Sequence, residues 1–120
     1  MAASAVGLSA CGSSGGSGAT ATTLAPVQSG TVDVDATDNY FVPEVVTVTE
    51  GSDVVWTNDG RNQHNIVPVD DTPFEVATAD FEPGSTYTWK ASVPGTYRYY
   101  CSIHGTATAG MIGTIQVVAP

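Results

Sequence analysis

Basic side chains are nearly missing from this chain. Of 120 residues only three are Lys or Arg, against twelve Asp or Glu, for a formal net charge of −9. Arg61, Lys90 and Arg98 are too few to neutralise a run of phosphates, which argues against nucleic acid and against electrostatic docking on anionic lipid. The acidity keeps a chain soluble and leaves room for a basic protein partner. Long apolar runs are missing too: no stretch approaches the ~20 residues of a membrane helix. Helical periodicity does not persist over a dozen residues anywhere. Cysteine, histidine and methionine are scarce, with two of each.

What is present is short alternating segments separated by turn residues. Thr31–Ala36, Val45–Thr49, Asp53–Thr57, Ser85–Lys90, Gly95–Cys101 and Met111–Val118 read as strands, with a shorter one at His64–Val67. Several alternate with period two, as a strand with one buried face does. Glu50-Gly51, Asn58-Asp59-Gly60 and Pro94-Gly95 supply turns. Pro43 makes Tyr40–Pro43 a bend. The proline- and aspartate-rich stretch from Pro68 to Pro83 reads as loop, with a helical turn near Phe74–Ala79. Short strands at near-regular spacing predict an all-β sandwich in a single domain. Tyr40, Phe41, Trp56, Phe74, Phe81 and Trp89 are candidate core.

Residues 1–30 differ from the rest. Gly12–Gly30 is Gly, Ser, Ala and Thr with few large side chains. Such a composition buries too little apolar surface to offset ordering entropy, and it reads as a flexible tether. The expected division is a tether over 1–30 and a folded domain over 31–120.

The chemistry concentrates in Tyr100-Cys-Ser-Ile-His-Gly-Thr-Ala-Thr-Ala-Gly-Met111. This stretch places a thiol, an imidazole and a thioether in one connection between two strands. Such a soft and borderline donor set favours copper over oxygen-seeking ions. A fourth donor is available at His64. Two His and one Cys with a weak axial Met form the ligand set of a blue-copper electron-transfer site. Taken singly, Cys101 reads as a buried structural thiol and His104 as an inert surface side chain. Their Cys-x-x-His spacing, followed by Gly110-Met111, reverses both readings.

Cys101-x-x-His104, Gly110-Met111, His64-Asn65, Phe41-Val-Pro43, Val54-Val-Trp-Thr-Asn58 and Gly95-Thr-Tyr-x-Tyr-x-Cys101 together resemble the cupredoxins, the plastocyanin-like type 1 copper proteins. The resemblance spans Thr31–Val118. It implies a Greek-key two-sheet β-sandwich with one copper held by His64, Cys101, His104 and Met111. It also implies that Asn65 hydrogen-bonds across to the strand bearing Cys101 and that His104 is the exposed edge through which electrons pass. The His104–Met111 spacing is longer than plastocyanin-like loops use, which singles out the axial position.

Leu8-Ser-Ala-Cys11 resembles a bacterial lipobox, in which the cysteine is lipidated. Residues 1–10 hold no Lys or Arg and only a short apolar run, so either the true start lies further upstream or Cys11 is incidental; the first reading is favoured. On this reading Cys11 is a lipid anchor, Cys101 is the lone free thiol, and the protein works outside the cytoplasm, at the outer face of the cell membrane or in the periplasm. Membrane attachment is then through lipid only.

The function expected is electron transfer between redox protein partners by a monomer, with no substrate transformed. A four-donor site leaves no position open for a substrate, as catalytic metal sites do. A copper-delivery module is the alternative, but it favours exposed Met/His-rich sites, which this chain lacks. An oxidase or nitrite reductase requires more copper ligands than two histidines supply. A binuclear copper centre requires a second cysteine beside Cys101.

Overall fold

A computed structural model describes residues 25–120. Cys11 and most of the expected tether lie outside the described residues. Nine strands are seen among them: β1 (Val27–Gln28), β2 (Thr31–Ala36), β3 (Phe41–Val42), β4 (Val45–Thr49), β5 (Asp53–Asn58), β6 (Val67–Pro68), β7 (Thr86–Lys90), β8 (Gly95–Gly105) and β9 (Gly110–Val118). They form a five-stranded sheet, β1-β4-β9-β8-β6, and a four-stranded sheet, β3-β2-β5-β7. β4 runs parallel to both β1 and β9, and β2 runs parallel to β5, so the chain crosses between the sheets. This is the expected all-β, two-sheet Greek-key sandwich.

Alternation builds the core. β2 buries Val32, Val34 and Ala36 while Thr31 and Asp33 face out. β5 buries Val54 and Trp56, and β9 buries Met111, Ile115 and Val117. A one-residue slip would turn each of these sets to solvent, so burial fixes the register. Between the sheets Trp56 packs against Phe74 and Tyr99, with ring centroids 4.9 and 5.5 Å away. Burial pushes the Tyr99 phenol well above its usual range. The candidate aromatic core divides at one place: Tyr40 is exposed, whereas Phe41, Trp56, Phe74 and Phe81 are buried and Trp89 packs against the cluster.

Four local features depart from expectation. The sheet starts earlier than Thr31, because Val27–Gln28 pairs along β4. His64 precedes its strand rather than opening it: Ile66 bridges Val76, and β6 begins at Val67. The helical turn sits at Thr78–Asp80, displaced because Phe74 is buried and Val76 is extended in its bridge to Ile66. β8 does not end at Cys101 but continues to Gly105.

That extension shapes the site. Gly105 and Gly110 face each other as the last pair of a hairpin, with a register shift between Gly110 and Ile112. A Cβ on Gly105 would lie 2.5 Å from the Met111 nitrogen, and one on Gly110 would lie 2.7 Å from the His104 carbonyl. Gly110 also holds φ +86°, where a side chain is strained. The two glycines therefore let the long connection close as a hairpin with a four-residue tip instead of bulging as an open loop.

Candidate metal centre

Cys101 is the last buried residue along β8, and its thiol points into the sandwich. His104, three residues on, is half-buried. His64 arrives from the connection after β5 and is fully buried. Its backbone N–H donates to the Phe81 carbonyl at 3.3 Å, and that same carbonyl accepts from Asn58 Nδ2 at 2.9 Å. Asn58 Nδ2 also donates to the Asn62 carbonyl, at 2.9 Å. The buried end of β5 thus holds the turn that delivers His64.

The two imidazoles meet the thiol symmetrically. His64 Nδ1 and His104 Nδ1 each lie 3.8 Å from Cys101 Sγ. The three donor atoms all lie within 4.8 Å of one another, and the rings are 5.0 Å apart. An ion bonded to nitrogen at about 2.1 Å and to sulfur at about 2.3 Å, with 120° between them, sets N···S near 3.8 Å. The two N···S spacings are of the size that one shared ion sets, and the His₂Cys donor set suits copper.

Electrostatics favour the ligand form of His64. Burial lowers its pKa, and His104 beside it lowers it further. Asp38 and the Thr37 carbonyl act in the opposite sense, although the carbonyl makes no full hydrogen bond, since Nε2 is left without a partner. The net effect keeps the ring neutral, as a metal requires.

Met111 is completely buried and lies at the register shift that opens β9. Asn65 sits across from the Cys101 strand. Its Oδ1 accepts the Ser102 N–H at 2.8 Å, and its Nδ2 donates to the Ser102 and Thr78 hydroxyls at 2.8 and 3.1 Å. Ser102 and Thr78 were not foreseen; no sequence pattern marks a serine or threonine that satisfies a distant amide. The same holds for Asp38, whose carboxylate accepts the Arg61 N–H at 2.6 Å beside the His64 turn.

A model of the copper-binding proteins of the plastocyanin/azurin family matches residues 28–118. The chain belongs to that family. Plastocyanin of Vicia faba is 36% identical over 87 residues, covering 64% of this chain and 86% of that protein. The chain spans 57% and 51% of two chloroplastic plastocyanins that it also matches. A purple cupredoxin of Nitrosopumilus maritimus shares the fold, with a TM-score of 0.61 at 22% identity, over 72% of this chain and 99% of that one. A copper-containing nitrite reductase of Thermus scotoductus aligns at a TM-score of 0.62 and 29% identity, over 74% of this chain but 22% of the enzyme. Family membership and the His–Cys–His site together make this a type 1 copper electron-transfer protein with one copper as its cofactor.

Proposed function

We propose that His64, Cys101, His104 and Met111 would hold one copper, and that the protein only passes electrons and transforms no substrate. The observation that carries this reading is the paired 3.8 Å approach of two Nδ1 atoms to one buried thiol. Copper supplies a one-electron couple when bound. The chain supplies the rest. His64, Cys101 and Met111 are buried, which restricts the access of water and of a substrate to them. Asn65 anchors the backbone next to Cys101, which orients the thiol. His104 is the donor with an exposed edge, next to Ile103, which is 47% exposed. Uncharged Gly105, Ala107 and Ala109 continue that surface, a desolvated patch suited to docking a redox protein.

The nitrite reductase likeness does not conflict with a carrier, because it covers a fifth of that enzyme. We place the protein outside the cytoplasm, as a monomer tethered to the membrane through lipid on Cys11; the lipobox-like Leu8-Ser-Ala-Cys11 supports this. The deciding experiment is the visible spectrum of copper-loaded protein. An intense blue band that bleaches on reduction is expected, and Cys101→Ser should fold but lose it. A band that survives Cys101→Ser would mean that the thiol is not a ligand.

A further inference from the structure

The hairpin that carries three of the four proposed donors has an outside attachment at its tip. Arg98 lies on the outer face of β8, opposite Thr114 of β9. Its guanidinium Nη2 donates to the Ala107 carbonyl at 3.0 Å, nine positions further along the chain. Its Nη1 stands 3.7 Å from the Asp70 carboxylate. The main chain of Arg98 is bound to the same turn, since its carbonyl accepts the Val69 N–H at 3.0 Å and the Thr72 hydroxyl at 2.8 Å. Within that turn Asp70 takes φ 55°.

Within the tip, Thr106 N–H donates to the Ala109 carbonyl at 2.8 Å, and Thr108 N–H makes a long 3.4 Å contact to the Thr106 hydroxyl. The tip residues are small and uncharged. The Gly105–Gly110 pair closes the tip, and His104 and Met111 are the next residues along the two strands, one peptide from that pair. A guanidinium is suited to this place: its planar fork serves a carbonyl and a carboxylate at once, which an ammonium point charge does less well.

We propose that Arg98 is a positioning residue that clasps the tip of the ligand hairpin to the Asp70 turn, and so holds His104 and Met111 in place and slows copper escape. Its effect on escape rests on the copper reading above. The clasp itself is a property of the metal-free chain.

The test compares wild type, Arg98→Ala and Arg98→Lys. In metal-free protein, amide hydrogen exchange at Thr106 should quicken about fivefold in Arg98→Ala, the factor that corresponds to one hydrogen bond. Exchange at Asp53, whose N–H donates to the Gly30 carbonyl at 2.8 Å and which lies in the other sheet, should not change. Arg98→Lys should fall between the two. In copper-loaded protein, loss of the ion to a chelator should accelerate by the same factor in the same order. Unchanged Thr106 exchange overturns the clasp. So does a parallel rise at Thr106 and Asp53, which reports general destabilisation. Faster Thr106 exchange with unchanged copper loss overturns the link to the metal. Wild-type protein without a blue band sinks the copper reading, while the exchange result still decides the clasp.

Discussion

Replacing Asn65 with alanine is the most informative single perturbation of the site's support. Asn65 is 9% exposed, and its side chain makes three hydrogen bonds, two to Ser102 and one to Thr78. The two hydroxyls can turn to water after the change. The Ser102 N–H has less freedom, because it is fixed in β8 next to Cys101. At about 1 kcal/mol for each bond lost, Asn65→Ala should cost about 2–3 kcal/mol. For a domain of about a hundred residues that lowers the melting temperature by roughly 10–20 °C. Urea unfolding of the metal-free protein measures the loss without involving copper, and an unchanged slope would show that compactness is kept. Asn65→Asp keeps an acceptor for the Ser102 N–H and loses both donors, so it should lie between the two. A loss below about 1 kcal/mol would refute the reasoning, since it would mean that water replaces all three bonds at no cost.

Other outcomes follow from the same geometry. Met111→Leu should keep bound copper and blue colour but raise the reduction potential, because an axial thioether stabilises Cu(II) more than Cu(I); identical potentials in a redox titration would make Met111 a core residue only. Ala107→Asp should slow electron exchange with a partner while leaving the visible spectrum alone; an unchanged rate would move the docking surface elsewhere. Asp35 has its pKa raised by burial first, then by Asp59 and Asp33. The folded state therefore holds its proton to higher pH than the unfolded chain does, and stability falls as pH rises from the unfolded value through the folded one. Asp35→Asn should raise stability at neutral pH and flatten that slope in urea titrations taken across the acidic range; equal slopes would mean that folding does not raise the Asp35 pKa.

Strands were legible where one face is buried and the other wet. Val32, Val34 and Ala36 against Thr31 and Asp33, or Val54 and Trp56 against Asp53 and Val55, alternate because the sandwich has two sides. β1 was not legible, since Val27 and Gln28 are both exposed and owe their extended form to the edge of β4. The true end of β8 was hidden for another reason. Glycine is ordinarily a turn signal, yet Gly105 and Gly110 pair, because without a Cβ two backbones can approach that closely. Cys101 and His104 stood out through local spacing alone. His64 stood out as the other histidine, but its complete burial depends on the Asn58 and Phe81 contacts and had no trace in the sequence. Arg98 read as a scarce surface charge; only folding brings Ala107 and Asp70 within its reach.

The meeting of His64 and Cys101 spans 37 positions of chain. An ion shared by the two side chains closes that span much as a covalent bridge would. The described domain has a single cysteine, which is free, so no disulfide is available to it. In the chain-entropy view, closing a loop of this length disfavours the unfolded state by about 4 kcal/mol. The redox centre then doubles as the domain's staple. A change of oxidation state that released either ligand would loosen the fold as well as the metal. The demand for an intact fold and the demand for little rearrangement during electron transfer therefore fall on the same bonds.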